Sequence, residues 1–279
     1  MARRKPEDIV DLVDSHYDAT EPLRSRMEDD HALYRLEPYD AGEGYQSYTS
    51  NEPMTFADKV MGWIASAEMT VRVPHDGADG ELREKNDQKE RFLIGVLRAA
   101  DERLCSLMMP NLRDQLAWYA VLRGWYAGRA LLAKRADGTT YVDITPWDPL
   151  HTYWGTGADG LEWACYKTVK TKEQILSQYN IRVDWDSPSI SEGTFVYDFY
   201  DSEMNTIIIH NGDSNSPLHR VVKKQIRHGA DRVPVFIGPV GANPLIMSLH
   251  NTSIKDTISD VGESVFRSTR DLYPKHNMM

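Results

Sequence analysis

The stretch that decides the fold class is RALLAKRADGTTYVDI, residues 129–144. Two strand-like runs, 129–134 and 141–144, flank the dipeptide Asp137-Gly138. Because Asp-Gly readily adopts the positive φ angles of a tight hairpin turn, the stretch predicts an antiparallel β-hairpin. The chain before Gly124 has helical spacing of its apolar residues, and the chain after it is rich in strand-like runs. The hairpin therefore marks the change from a helical part to a sheet-forming part.

Upstream of the hairpin, apolar residues recur at helical spacing in several segments. They predict helices near residues 6–17, 20–36, 55–67, 87–108 and 111–123. The fourth of these carries its apolar residues at i, i+4 spacing: Phe92, Val96, Ala100, Leu104, Leu107 and Met108. Residues 40–52 are rich in Gly, Tyr, Ser and Thr and predict a loop, whereas residues 69–73 alternate as a short strand does.

Downstream of the hairpin, the strand-like runs are expected to form an antiparallel sheet, with one helix among them. Strands are predicted at residues 162–169, 194–199, 205–210, 221–226 and 233–237, a helix at 172–179, and a last helix carrying Ile254, Ile258, Val261, Val265 and Leu272. The sequence thus predicts an α+β fold, with N-terminal helices packed on a mainly antiparallel β-rich region and a helix at the end. The segments are 1–124, mainly helical, 125–245, β-rich, and 246–279, the C-terminal helix.

Composition excludes several classes of protein. The formal charge is −10, and a nucleic-acid binder ordinarily carries a basic face. No segment approaches the roughly 20 apolar residues of a membrane helix, so no membrane contact is expected. Cys105 and Cys165 are far apart and fit neither a disulfide framework nor a zinc spacing, so both are expected to be small buried apolar residues.

Motifs for catalysis or cofactor binding are weak throughout. The chain has no glycine-rich loop ending in Lys-Ser or Lys-Thr, and the glycines at 155, 157 and 160 precede strand-like sequence, which favours a β-turn. None of the nine histidines lies in a helical metal-binding motif. We therefore expect no cofactor, no metal and no enzymatic activity. One enzymatic alternative stays open: Asp198, Asp201 and Glu203 are carboxylates of the kind that hold magnesium in a nuclease.

One basic cluster interrupts the acidic sequence. Arg220, Lys223, Lys224 and Arg227 are mixed with Val221, Val222 and Ile226, which suggests one solvent face of a hairpin. Two interpretations stay open for this face: contact with an acidic neighbour or with DNA, and an ordinary solvated strand surface. Aromatic residues crowd into residues 118–163, and they too fit either a large core or a subunit interface, where aromatics are enriched.

The order of several short motifs resembles the N-terminal part of portal proteins from tailed double-stranded DNA bacteriophages. The motifs are YQSYTSNEP at 45–53, ADKV at 57–60, VRVP at 71–74, RGW at 123–125, WDP at 147–149, WG at 154–155, DGLEWA at 159–164, VPV at 233–235, GPVG at 238–241 and GESVF at 262–266. They cover most of the chain, and the resemblance depends on their order.

The resemblance implies a structural subunit of the portal ring, commonly dodecameric, at one capsid vertex of the virion. Such a ring forms part of the conduit for DNA packaging and ejection and of the head–tail junction. Its implied partners are further copies of the chain, the major capsid protein, terminase, a head–tail adaptor and passing double-stranded DNA. Tyr45, Tyr48, Asn51, Trp125 and Trp154 are then candidate contacts with a neighbouring subunit or the capsid.

Portal subunits are usually longer, with stem, clip and crown segments. We therefore expect this chain to be the wing-like portion, its last helix leading toward a stem that the sequence lacks. Another virion protein, such as a head–tail adaptor or minor capsid protein, is the alternative that shares its composition.

Overall fold

The computed structural model describes residues 4–38, 49–74, 80–134, 137–183, 194–210, 222–241, 258 and 261–273. The helices are α1 (Pro6–Ala19), α2 (Glu21–Tyr34), α3 (Glu52–Ser66), α4 (Gly80–Ser106), α5 (Leu112–Arg123) and α6 (Lys172–Tyr179). The strands are β1 (Trp125–Lys134), β2 (Thr140–Trp147), β3 (Thr152–Gly157), β4 (Gly160–Lys170), β5 (Thr194–Tyr200), β6 (Met204–His210), β7 (Val222–Arg227) and β8 (Val235–Pro239). The predicted α+β class is confirmed, since the strands form two antiparallel sheets.

Local sequence signals explain where several helices begin and end. The side chain of Asn111 accepts a hydrogen bond from the Asp114 amide and starts α5, which Gly124 ends in the left-handed conformation. At α6, Thr171 and Gln174 form a reciprocal capping box. These caps satisfy amide groups that have no partner inside the helix, and they set the helix limits.

The chain divides into two compact units whose segments interleave along the sequence. The first includes residues up to Arg24 and the segment Trp147–Phe236, and the second includes Ser25–Pro146 and the segment from Asp260 onward. Helix α1 therefore belongs with the larger sheet, and hairpin β1–β2 belongs with helices α3 to α5. These units cut across the three segments predicted from the sequence.

The first unit is a five-stranded antiparallel sheet of order β3-β4-β5-β6-β7 with a helix on each face. Helix α1 buries Ile9 and Val13 against Trp163, Phe199 and Ile208. On the opposite face, the cluster at α6 contains Ile175, Ile181, Val196, Ile207 and Ile209. The alternation follows from the period of two along a strand, since Val196 and Phe199 lie on opposite faces.

The second unit has a helical core beside a three-stranded sheet of order β2-β1-β8. Ala57 of α3, Val121 and Leu122 of α5, and Phe266 are almost fully buried together. The Asp137-Gly138 turn lies between β1 and β2, with Gly138 at a φ of 86°. The hairpin prediction is therefore confirmed.

Three local predictions are wrong. Residues 261–270 form bends and turns where a helix was expected, because the amides of Glu263 and Val265 donate to other segments, to the carbonyls of Val240 and Val121 at 2.8 and 2.9 Å. Residues 69–73 form no strand, and the Val73 amide donates to the Glu90 carboxylate at 2.7 Å. Cys105 is exposed, although Cys165 is buried as predicted.

Strand β3 was not predicted, since its sequence is rich in glycine. Of the predicted last helix, Ile258 is helical, but Ile254 and Pro274 lie outside the described residues. Most of the predicted loop at 40–52 also lies outside them. In the part of the chain that is described, no helix is both long and apolar enough to cross a membrane.

Candidate subunit-contact surfaces

The predicted interface residues fall in different environments. Trp125 is 6 % exposed, and its Nε1 donates to the Val261 carbonyl at 2.9 Å, so its ring packs inside the second unit and leaves little surface for a neighbour. Trp154 is half-buried, with its ring 4.9 Å from the His16 ring. Asn51 is exposed and precedes α3. Tyr45 and Tyr48 lie outside the described residues.

Two residues of the predicted basic face, Lys224 and Arg227, do not share one surface. Lys224 and Arg227 are three residues apart on β7, so the period of two sends them to opposite faces of the sheet. Lys224 Nζ donates to the carbonyl of Tyr179 at 2.8 Å, where the C-terminal end of α6 attracts a cation. Arg227 is exposed and lies 3.5 Å from the Glu203 carboxylate. The Lys223 side chain and all of Arg220 lie outside the described part.

The three carboxylates proposed as a magnesium site serve separate structural roles. Asp198 is 6 % exposed on β5 and accepts a hydrogen bond from Asn205 Nδ2 at 2.5 Å. Asp201 closes the β5–β6 turn by accepting from the amides of Glu203 and Met204 at 2.9 and 2.7 Å. Within the described residues, no group of three or more metal-ligating side chains comes together.

Helices α3 and α4 of the second unit expose large apolar side chains. Trp63 of α3 is 69 % exposed, Phe92 of α4 is 65 % exposed, and Ile64 and Leu93 are each about 40 % exposed. Scattered apolar residues are normal on a protein surface, but several on neighbouring helices are typical of a surface that contacts a partner. Of the six apolar residues at helical spacing in the segment 87–108, Ala100 and Leu104 are buried, whereas Phe92, Leu107 and Met108 are exposed.

A groove of about 490 Å³ opens among α3, α4 and α5. Its apolar lining includes Ile64, Met69, Leu97, Leu116, Ala120 and Tyr126. At its edge, Arg113 Nη1 donates to the carbonyl of Ala65 at 2.6 Å and ties the end of α3 to α5. We call this feature the α3–α5 groove. All three helices have periodic apolar residues in the sequence, but that spacing does not indicate that part of the apolar stripe stays open.

A charged clamp joins α4 to the hairpin of the same unit. Asp143 on β2 lies between Arg103 of α4 and Arg129 of β1, with ion pairs to both. Arg103 also donates to the Ile144 carbonyl and to Thr145 Oγ1, at 3.1 and 2.9 Å. The Asp143 carboxylate therefore holds the C-terminal part of α4 against the β1–β2 hairpin.

A histidine in the first unit is enclosed by aromatic rings. The His16 ring lies 4.9 Å from that of Trp154, and 5.9 and 5.8 Å from those of Tyr153 and Trp163. Its Nδ1 is buried and has no hydrogen-bond partner among the described residues. Burial, with a smaller contribution from the Arg24 cation, lowers the pKa of His16 to about 4. The imidazole is therefore neutral at pH 7.

We expect the first unit to lose stability through His16 as the pH falls from about 6.5 to about 4. In this range the unfolded chain binds a proton at His16 and the folded chain does not, so protonation favours unfolding. The pKa difference corresponds to at most about 3 kcal/mol. Urea unfolding at pH 7.5 and pH 4.5 measures the loss, with His16→Asn as the reference. Equal pH dependence of the two proteins would contradict the assignment.

Comparison with known protein families and with curated proteins gave no match to this chain.

Proposed function

We propose that this chain is a structural subunit of the portal ring of a tailed bacteriophage. The observation that carries the proposal is the set of large apolar side chains that the second unit exposes, with Trp63, Phe92 and Met108 each more than 60 % exposed. A subunit that packs against copies of itself needs such a surface. The order of the sequence motifs, which resembles that of portal proteins, is the reason for proposing a portal ring in particular.

The motifs that resemble portal proteins lie at positions that shape the backbone. Asn51 and Pro53 open α3, and Gly124 ends α5 and leads into β1. Asp148 caps a short 3₁₀ turn, Pro149–His151, by accepting a hydrogen bond from the Leu150 amide at 2.9 Å. Residues that set turns and helix limits carry a fold from one sequence to another, which supports a portal-like interpretation of the motif order.

In the proposed role the chain performs no bond chemistry. The ring lies at one vertex of the virion and contacts the major capsid protein. A separate terminase drives the DNA through the ring during packaging, and a head–tail adaptor joins the ring later. The formal charge of −10 suits a conduit through which DNA passes without tight binding. The carboxylates of the nuclease alternative take part in hydrogen bonds within the sheet: Asp198 accepts from Asn205, and Asp201 accepts from the Met204 amide.

Electron microscopy of the protein purified from its complete reading frame tests the proposal. A portal subunit forms closed rings with a central hole, because each copy uses the same pair of surfaces to bind the next. We expect such rings. Protein that stays monomeric at high concentration would count against the portal and would favour another virion protein.

A further inference from the structure

Helix α1 covers one face of the five-stranded sheet in the first unit. Its Ile9 and Val13 side chains are 1 % and 0 % exposed, and they pack in one cluster with Trp163, Phe199 and the fully buried Cys165. The helix has 14 residues, and a helix of that length is marginal in water unless it packs against the rest of a protein. Separation of α1 from the sheet is therefore a local event, and it uncovers Cys165.

The last turn of α1 is attached to the sheet by His16. Its ring centroid lies 4.9 Å from that of Trp154 on β3 and 5.8 Å from that of Trp163 on β4. The Tyr153 ring makes an edge contact at 5.9 Å. The His16 carbonyl accepts hydrogen bonds from the amide and Oγ1 of Thr20, at 3.0 and 2.8 Å, which closes the end of the helix. A change that displaces the His16 ring therefore loosens the end of α1.

A positive charge on the His16 ring is disfavoured by its surroundings. A charged imidazole carries a proton on both nitrogens, and Nδ1 of this ring is buried with no hydrogen-bond partner among the described residues. Protonation would therefore leave a buried donor unsatisfied. Burial is also the main cause that lowers the pKa of His16 to about 4, and the Arg24 cation near the start of α2 lowers it further.

The titratable groups near the enclosure are neutral or already paired. Asp14 of α1 lies 3.2 Å from the Lys167 ammonium on β4, and the two form an ion pair. The Tyr17 ring lies 3.3 Å from the Arg24 guanidinium. Burial raises the pKa of Tyr153 to about 12, so its hydroxyl stays neutral in acid. Protonation of the imidazole therefore places a second cation beside Arg24.

We propose that acid releases α1 from the sheet through protonation of His16, before the rest of the first unit unfolds. In the released helix the ring is in water and binds a proton at its ordinary pKa of 6.5, whereas in the seated helix it stays neutral until about pH 4. Release becomes more favourable as the pH falls below about 6.5, and the released fraction rises about thirtyfold between pH 7.5 and pH 5. The response belongs to a single chain and does not depend on ring formation.

Reaction of the Cys165 thiol measures the release. Cys105→Ser leaves Cys165 as the only thiol of the chain, and a dipyridyl disulfide reacts with thiols even at acid pH. At each pH, the rate in buffer is divided by the rate of the same chain in concentrated urea, which corrects for the reactivity of the thiol itself. We expect this ratio to rise about thirtyfold from pH 7.5 to pH 5. A ratio that does not change with pH would overturn the proposal.

Variants at two histidines assign the response. His16→Phe keeps a ring among the aromatic neighbours and His16→Asn removes it, but neither side chain binds a proton, so both variants should show a flat ratio. His31→Asn is the matched control, because the His31 ring also makes an edge contact with a tryptophan, 5.6 Å from the Trp118 ring. It should keep the rise of about thirtyfold. A full rise in His16→Phe, or a flat ratio in His31→Asn, would contradict the assignment to His16.

A second thiol separates the release of α1 from unfolding of the whole unit. Val196→Cys, in a Cys105→Ser/Cys165→Ser background, places a buried thiol on the opposite face of the sheet, in the cluster at α6. Because α1 is released alone, this thiol should react at least about tenfold more slowly than Cys165 at pH 5, after the same correction. Equal corrected rates for the two thiols would show that the whole unit opens together and would overturn the proposal.

Discussion

Gly124→Ala is expected to destabilise the second unit by about 3 kcal/mol or more. Gly124 has a φ of 69°, and a Cβ added to it would lie 2.5 Å from the Glu263 carbonyl carbon and 2.7 Å from the Ser264 nitrogen. Both contacts are to backbone, which cannot rotate away as a side chain does. The Gly124 carbonyl also accepts a hydrogen bond from the Val240 amide at 2.8 Å, so moving the turn breaks a second link.

Gly138→Ala is the matched control for that substitution. Gly138 also has a positive φ, 86°, but a Cβ there meets nothing within 4 Å. It should cost only the left-handed strain, about 1–2 kcal/mol. Urea denaturation of both variants gives the comparison, and equal losses would show that the close packing at Gly124 has no energetic weight.

Asp30→Ala is expected to cost about 3–5 kcal/mol, because it removes the main partner of a partly buried cation. Asp30 is fully buried, and its two carboxylate oxygens accept from Arg270 Nε and Nη2 at 2.6 and 2.8 Å. Arg270 also donates to Glu263 at 3.1 Å, and Arg26 lies 3.4 Å from the same carboxylate. This network attaches the segment after residue 260 to α2, in place of the helix that the sequence predicted there.

An exposed pair supplies the control for the buried network. Arg35 and Glu37 lie 3.6 Å apart and are each more than half exposed, so Glu37→Ala should change the free energy of unfolding by less than about 1 kcal/mol. The double variant Asp30→Ala/Arg270→Met should recover part of the loss, since neither charge is then left without its partner. If Asp30→Ala and Glu37→Ala have the same effect, the buried network does not hold the segment.

Local rules predicted those parts of the fold that local interactions determine. Asp137-Gly138 fixed a hairpin turn, and Asn111 and Gly124 fixed both ends of α5, because caps and turns depend on a few neighbouring residues. The segment at 261–270 failed for the opposite reason. Two amides near its start, those of Glu263 and Val265, bond to carbonyls elsewhere in the chain, and helical spacing carries no information about such partners.

The candidate contact surfaces were harder to predict than the fold. A helical stripe shows which residues share a spacing, but it does not show which of them the chain itself buries: Leu104 is buried, whereas Phe92 and Met108 are exposed. Trp125 was an interface candidate because aromatics are common there, yet its indole is buried. For Lys224 and Arg227 the sequence alone was enough to predict separate surfaces, since residues three apart on a strand lie on opposite faces.

The central claim is that this chain belongs to a closed ring. Class averages of electron micrographs, recorded from the protein of the complete reading frame, test it most directly. We predict end-on views that show a single ring of identical subunits, commonly twelve in portals, around an open channel. Particles no larger than one chain, in samples more concentrated than imaging ordinarily needs, would contradict the account.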